Sequence, residues 1–264
     1  MKKIISLIVL VVLFSSCSEY QRALKSEDIA VKYASSVKMY DKGKYEKAIR
    51  LFEQIAPSYK GKPQAEKLFY MYSQAYYKTE QFYLAGYQFE SFASSYPKSE
   101  KQEEALFLSA KCFTKLSPVY SLDQTDTDKA VDKLQNFIDT YPNSSYMTEA
   151  NTLVKEMRYK IEKKAFENAK QYNTISDYKA AQIALDNFIS DFPGTPFKED
   201  ALYFKLDSAY KLAINSVTSK MEERLKNAKS AYYSLTKFKA ETKYKNQADE
   251  MLAKIDKDLQ QFSK

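Results

Sequence analysis

Small and large apolar residues recur along the chain at fixed offsets. Ala48, Ala85, Ala130, Ala181 and Ala228 are each followed four residues on by a large apolar side chain: Phe52, Phe89, Leu134, Leu185 and Tyr232. Seven on comes another: Ile55, Phe92, Phe137, Phe188 and Leu235. Offsets of four and seven from a small residue mark one face of an α-helix. In the first four copies an aromatic ring stands eleven on, at Tyr59, Tyr96, Tyr141 and Phe192. Twenty on, the last four copies carry a second small residue, at Ala105, Ala150, Ala201 and Ala248, with Leu68 in the first. The pattern predicts an all-α chain, an α-solenoid of about five helix pairs and about ten helices forming one continuous curved rod.

The partner helix of each pair is readable in copies one, two and four. Ser36, Ser73 and Ala169, twelve before the anchor, are small enough for two helices to approach; Met39, Tyr76 and Tyr172, nine before it, should face the core. In Asp41-Lys42-Gly43-Lys44, Gly43 can supply the positive φ of a tight turn. The third copy breaks this register, which predicts a long loop near 116 to 127 and a polar helix start from Thr125. The fifth copy is irregular, as terminal repeats tend to be.

These residues resemble tetratricopeptide repeats, in which a Pro ends the second helix of each pair. Pro97, Pro142 and Pro193 fall there, and Lys60 replaces Pro in the first copy. The anchors exceed the 34-residue period of that family, so extra residues must lie in longer helices or loops. The resemblance implies a concave groove lined by the first helix of each pair. The lining positions are Tyr33 and Tyr40 in repeat one, Tyr70 and Tyr77 in repeat two, and Phe166 and Asn173 in repeat four. Each tyrosine pair is seven apart, so both rings leave one helical face. The alternative is that the rings fold into the seam between helices. A groove of tyrosines beside Lys32, Lys38, Lys67 and Lys78 suits extended segments carrying aromatic and acidic residues.

The first residues read as a targeting segment. Lys2 and Lys3 precede an apolar run from Ile4 to Phe14, too short to span a bilayer as a mature helix. Phe14-Ser15-Ser16-Cys17 resembles the lipobox of bacterial lipoproteins, with Phe14 where Leu is commoner. That resemblance implies a signal peptide over 1–16, acylation of Cys17 and attachment to outer-membrane lipid. Ser18, which is not Asp, favours the outer over the inner membrane by the same analogy. The alternative is an ordinary signal that happens to contain a Cys. Residues 17–27 are expected to form a short polar tether.

Composition narrows the chemistry. The chain has no His, which removes the usual general base and the commonest metal ligand. Its four glycines are isolated, so no phosphate cradle is present. With Cys17 acylated only Cys112 keeps a free thiol, which is too few for a zinc site or an intramolecular disulfide, and it reads as a buried small hydrophobe. Glu103 with Glu104, and Glu222 with Glu223, are possible paired carboxylates that read as solvated helix faces. No enzyme activity, metal or cofactor is expected. The net charge of +7 is spread over the chain rather than gathered in a stripe, which argues against nucleic acid. Attraction to anionic lipid is a secondary expectation.

An acylated Cys followed by five such units resembles the BamD-like family of outer-membrane assembly lipoproteins. Cys17-Ser18-Glu19-Tyr20-Gln21, Tyr120 to Thr125 and Tyr141-Pro142-Asn143-Ser144-Ser145-Tyr146 carry the local likeness. The resemblance implies a periplasm-facing scaffold that joins a BamA-like β-barrel insertase and binds unfolded outer-membrane β-barrel precursors. Residues 28–97 would meet precursors, and residues 98–264 would dock the insertase. Competing readings are another periplasmic repeat scaffold for envelope constriction, a SusD-type surface lipoprotein, and a wall hydrolase. The first usually adds a coiled coil, the second is about twice as long and uses Trp, and the third needs a further domain.

Overall fold

The computed structural model describes residues 19–262, so the expected signal peptide and Cys17 lie outside the described residues. Among the described residues every regular element is helical: α1 (residues 19–25), α2 Ile29–Asp41, α3 Tyr45–Tyr59, α4 Ala65–Lys78, α5 Phe82–Ser95, α6 Gln102–Leu116, α7 Thr125–Thr140, α8 Met147–Thr174, α9 Tyr178–Asp191, α10 Lys198–Ile214, α11 Thr218–Phe238 and α12 Lys245–Gln260. The chain is an all-α succession of helix pairs of the solenoid type. It divides into two compact units, residues 19–118 with 123–157, and residues 119–122 with 158–262.

The repeating small residues explain the stacking. Ala48, Ala85, Ala130, Ala181 and Ala228 are all fully buried, as are Leu68, Ala105, Ala150, Ala201 and Ala248. A methyl side chain at each crossing lets neighbouring backbones approach, and the large residues four and seven on fill the flanking space. In the first unit Phe52, Ile55, Phe89 and Phe92 share one core with Tyr72 and Tyr76, while Phe107, Phe113, Leu134 and Phe137 form the next. In the second unit Phe166, Leu185 and Phe188 form one core, and Leu206, Leu225, Leu235 and Ile255 another.

Helix ends follow local chemistry. The carboxylate of Asp28 accepts from the Ala30 amide at 2.8 Å, and that of Asp177 from the Ala180 amide at 3.0 Å. Tyr96, Tyr141 and Phe192 close α5, α7 and α9, each donating its amide to the carbonyl four residues back. The following Pro cannot continue the helix. The turn predicted at Gly43 has φ +68° there, and the equivalent turns use Glu80 (φ 59°) and Ser176 (φ 67°).

The surplus over a minimal repeat is placed in two ways. In the third copy it is a loop over residues 117–124, ahead of the helix that starts at Thr125. In the fourth it lengthens the first helix: α8 runs for 28 residues. Residues 119–122 of the loop pack within the second unit, where Lys164 Nζ donates to the Leu122 carbonyl at 2.7 Å and Lys163 stands over the Tyr120 ring.

The stretch expected as a polar tether differs. Residues 19–25 are helical, Tyr20 and Ala23 are buried in the first core, and Lys47 caps the Tyr20 ring at 5.1 Å. Tyr20 and Ala23 are three apart, which places both on one face of a helix of about two turns.

Candidate functional site

The four tyrosines expected to line a groove are all half-buried on the first helices of the first two pairs. Each leans on the second helix of its own pair. Tyr33 stacks on Tyr59 with ring centres 5.0 Å apart, and Tyr40 meets Tyr45 edge-on at 5.4 Å. Tyr70 packs on Phe92 at 5.4 Å and Tyr77 on Phe82 at 5.8 Å. One side of each ring therefore belongs to the inter-helix seam, and the rings do not stand free in solvent.

The hydroxyl ends converge on charge. Burial pushes the Tyr70 phenol well above its usual pKa, and the Glu104 carboxylate, which accepts from its hydroxyl, adds to this. The same oxygen accepts from Gln74 Nε2 at 2.9 Å. Burial also raises Tyr40, with Tyr45, Asp41 and Glu104 adding to it. Tyr146, just before α8, is raised by burial and then by Glu104. Lys101 Nζ pairs with Glu104 at 2.9 Å and lies 5.5 Å from the centre of the Tyr70 ring. Glu104 thus contacts Tyr70 on α4 and Lys101 at the start of α6, and its charge acts on Tyr40 and Tyr146. One step along, Lys111 pairs with Glu149 at 2.7 Å, which raises the lysine pKa, and the Tyr77 phenol lies close enough to add to that rise.

A strip of this kind offers acceptors, donors and apolar ring area in alternation. A cavity of about 340 Å³ opens at Tyr70, lined also by Pro63, Glu66, Lys67, Phe92 and Lys101. Of the lysines named from sequence, Lys67 is therefore at the strip. Lys32 instead donates to Gln54, Lys38 pairs with Glu19, and Lys78 is simply exposed. The corresponding positions in the second unit are core. Phe166 is buried and stacks on Phe197 at 5.4 Å, and Asn173 donates to Asp207 at 2.7 Å and to Ser208 at 2.9 Å.

Glu104, which the sequence pattern presents as a solvated surface carboxylate, has a side chain only 27% exposed. The available signal was register. Glu104, Glu149 and Asp200 each stand one residue before the second small anchor of their copy. Tyr72 and Tyr76 were also missed as a polar pair: their hydroxyls lie 2.8 Å apart, and Tyr76 donates to Glu53 at 3.0 Å. Cys112 is buried beside Gly86, and burial pushes its thiol up to about 12, so it is an inert packing residue. The second unit carries a cavity of about 590 Å³ on α8 and α9, lined by Ala165, Tyr172, Ile175 and Phe188 together with Asn168 and Asp191; Ile175 is exposed, and so is Tyr172, which its register predicted to face the core.

Comparison with known proteins adds the following. A model of the YfiO family, described as outer membrane lipoprotein, matches residues 26–174, more than half of the chain. An outer membrane protein assembly factor BamD from Caulobacter vibrioides is 25% identical over 118 residues, which are 45% of this chain and 39% of that protein. The match thus spans about two fifths of the length of that curated relative. Two crystal structures of nearly identical TPR-like repeats from a Podosopora anserina putative kinesin light chain align at 13% identity and TM-score 0.33. They cover 82% and 79% of this chain and 98% of each of theirs, and at that score the likeness carries no argument.

Proposed function

We propose, from the premise that the chain belongs to the YfiO family of outer membrane lipoproteins, that it is a non-catalytic scaffold of β-barrel assembly. In this reading Cys17 is acylated and holds the protein on the periplasmic side of the outer membrane. No helix among the described residues is long and apolar enough to cross a membrane, so an acyl anchor would supply the attachment. Repeats one and two (residues 28–97), with Lys101, Glu104 and Tyr146 beside them, bind unfolded outer-membrane β-barrel precursors. The later repeats, where Tyr172 and Ile175 stand exposed at a cavity, dock a BamA-like insertase.

The observation that carries the binding role is the strip joined through Glu104. Tyr70 donates to the Glu104 carboxylate with Lys101 beside it, and that charge also acts on the Tyr40 and Tyr146 phenols. A precursor segment in extended form carries unpaired backbone donors and acceptors together with alternating aromatic side chains. Tyrosine hydroxyls, a carboxylate and an ammonium can satisfy the first, and ring faces can cover the second. No cofactor is needed, because insertion is driven by burying apolar strand faces in lipid and closing the barrel's edges.

Ring-to-alanine changes would open the seam, so the test removes hydroxyls only. Replacing Tyr33, Tyr40, Tyr70 and Tyr77 by Phe, together with Glu104→Gln, keeps the packing and removes the polar ends. Affinity for an unfolded barrel segment, measured by fluorescence anisotropy, should fall about tenfold or more, at about 1 kcal/mol per lost hydrogen bond. Unchanged affinity in a variant with native circular dichroism sinks this reading.

A further inference from the structure

The link between the expected anchor and the first core is almost without length. Glu19 begins the described helix, and Tyr20 and Ala23 are only 3% and 2% exposed within the core of the first unit. Two Cα–Cα steps of 3.80 Å separate residue 17 from residue 19, at most ~7.6 Å. That reach is no longer than the Debye length of about 8 Å at physiological ionic strength. Charges near Glu19 would meet a lipid surface at residue 17 with little screening.

Those charges are mostly cationic. Lys38 Nζ contacts both oxygens of Glu19 at 2.7 Å. This pairing is the main reason the Glu19 carboxyl sits below its usual pKa, and Lys42 and Arg22 act in the same direction. Residues 19–50 carry eight Lys and Arg against five Asp and Glu, a denser excess than in the chain as a whole. Between α1 and α2 lies a cavity of about 640 Å³ lined by Glu19, Arg22, Ala23, Val31, Ala34, Ser35 and Lys38. Ser35 is 7% exposed and its Oγ has no hydrogen-bond partner.

We propose that the α1–α2 face of the first unit lies directly against anionic lipid headgroups, with Arg22, Lys38 and Lys42 on their phosphates. This rests on the acylation of Cys17 put forward above. With Tyr20 buried, two residues of chain limit how far repeat one can stand from an acylated Cys17. Cationic side chains near an anionic surface contribute about 1 kcal/mol each, roughly fivefold in partitioning.

The test uses the full acylated chain in vesicles of phosphatidylcholine with and without phosphatidylglycerol. A fluorophore on Val31→Cys, at an exposed residue of the cavity, reports quenching by spin-labelled headgroups, and buried Cys112 does not compete for the label. Quenching is expected in the anionic vesicles. Arg22→Gln with Lys38→Gln and Lys42→Gln should relieve it, and this variant should still float with the vesicles. Protein that floats with residue 31 unquenched, or quenched equally without phosphatidylglycerol, overturns the proposal. If Cys17 carries no acyl group, the anchor reading fails by itself. The unacylated chain should then still partition onto anionic vesicles, on the order of a hundredfold better than the triple variant, and equal partitioning of the two sinks the surface as well.

Discussion

Gly43, Glu80 and Ser176 occupy one turn in three copies, each with positive φ. The hydrogen bonds are the same. The amide of each donates to the carbonyl three back (Tyr40, Tyr77, Asn173), and the next amide donates to the carbonyl five back from itself (Met39, Tyr76, Tyr172). Only the first copy has the residue that tolerates this conformation without strain. A left-handed L-residue costs roughly 1–2 kcal/mol, and a glycine loses roughly 0.4–1 kcal/mol more chain entropy on folding. Glu80→Gly should therefore stabilise the protein by up to about 1 kcal/mol, and Gly43→Ala should destabilise it by about 1 kcal/mol. Nothing lies within 4 Å of a Cβ at Gly43, so the effect there is backbone strain alone. Urea denaturation of both variants checks the signs. At this scale the sequence was readable where the chemistry is local: Gly43 announces its turn, while Glu80 and Ser176 adopt it only because the helices on either side impose it. Glu104 was opaque for a related reason. Its role depends on which hydroxyls neighbouring helices bring to it, and its neighbours in sequence, Glu103 and Ala105, say nothing of Tyr40 or Tyr70.

Helix packing shows the same division. The alanine anchors and their aromatic partners were legible because a crossing point needs a small residue and a helix repeats every 3.6 positions. Residues 19–25 were not, since seven residues are too few for a period to emerge, and their burial depends on Lys47 and the core of the first pair. Phe166 and Asn173 share the register of the tyrosine positions but fall into core, because Phe197 and the Asp207–Ser208 pair cover them. Gly86 illustrates a close approach: a Cβ there would meet Phe113 at 3.0 Å and Cys112 at 3.2 Å, so Gly86→Ala should cost about 1–3 kcal/mol in packing despite a better helix propensity. The last helices depend on a carboxylate. Glu199 accepts from Lys239 at 2.8 Å, Thr242 at 2.7 Å and the Lys243 amide at 2.7 Å, which holds its pKa at about 2, and Tyr244 stacks on Tyr203 at 3.8 Å. A depressed carboxyl pKa stabilises the fold above the unfolded value of 4.5 and loses that contribution as pH falls toward about 2. Glu199→Gln should lower Tm most near neutral pH, and its difference from the unaltered chain should close between pH 4.5 and 2, as read by thermal denaturation across that window.

For the whole molecule, function follows from family membership and from surfaces rather than from reacting groups. The chain belongs to a family of outer membrane lipoproteins. Its first unit combines a basic face beside the expected anchor with a tyrosine and carboxylate strip on successive helix pairs. Those two surfaces divide the work the account assigns: one holds the protein at lipid, the other holds an unfolded strand. Depleting the protein from living cells and quantifying folded β-barrels in the outer membrane tests that account most directly. Barrel levels should fall, recover with the unaltered chain, and stay low with the Tyr-to-Phe and Glu104→Gln variant. Barrel levels unchanged by depletion would contradict it.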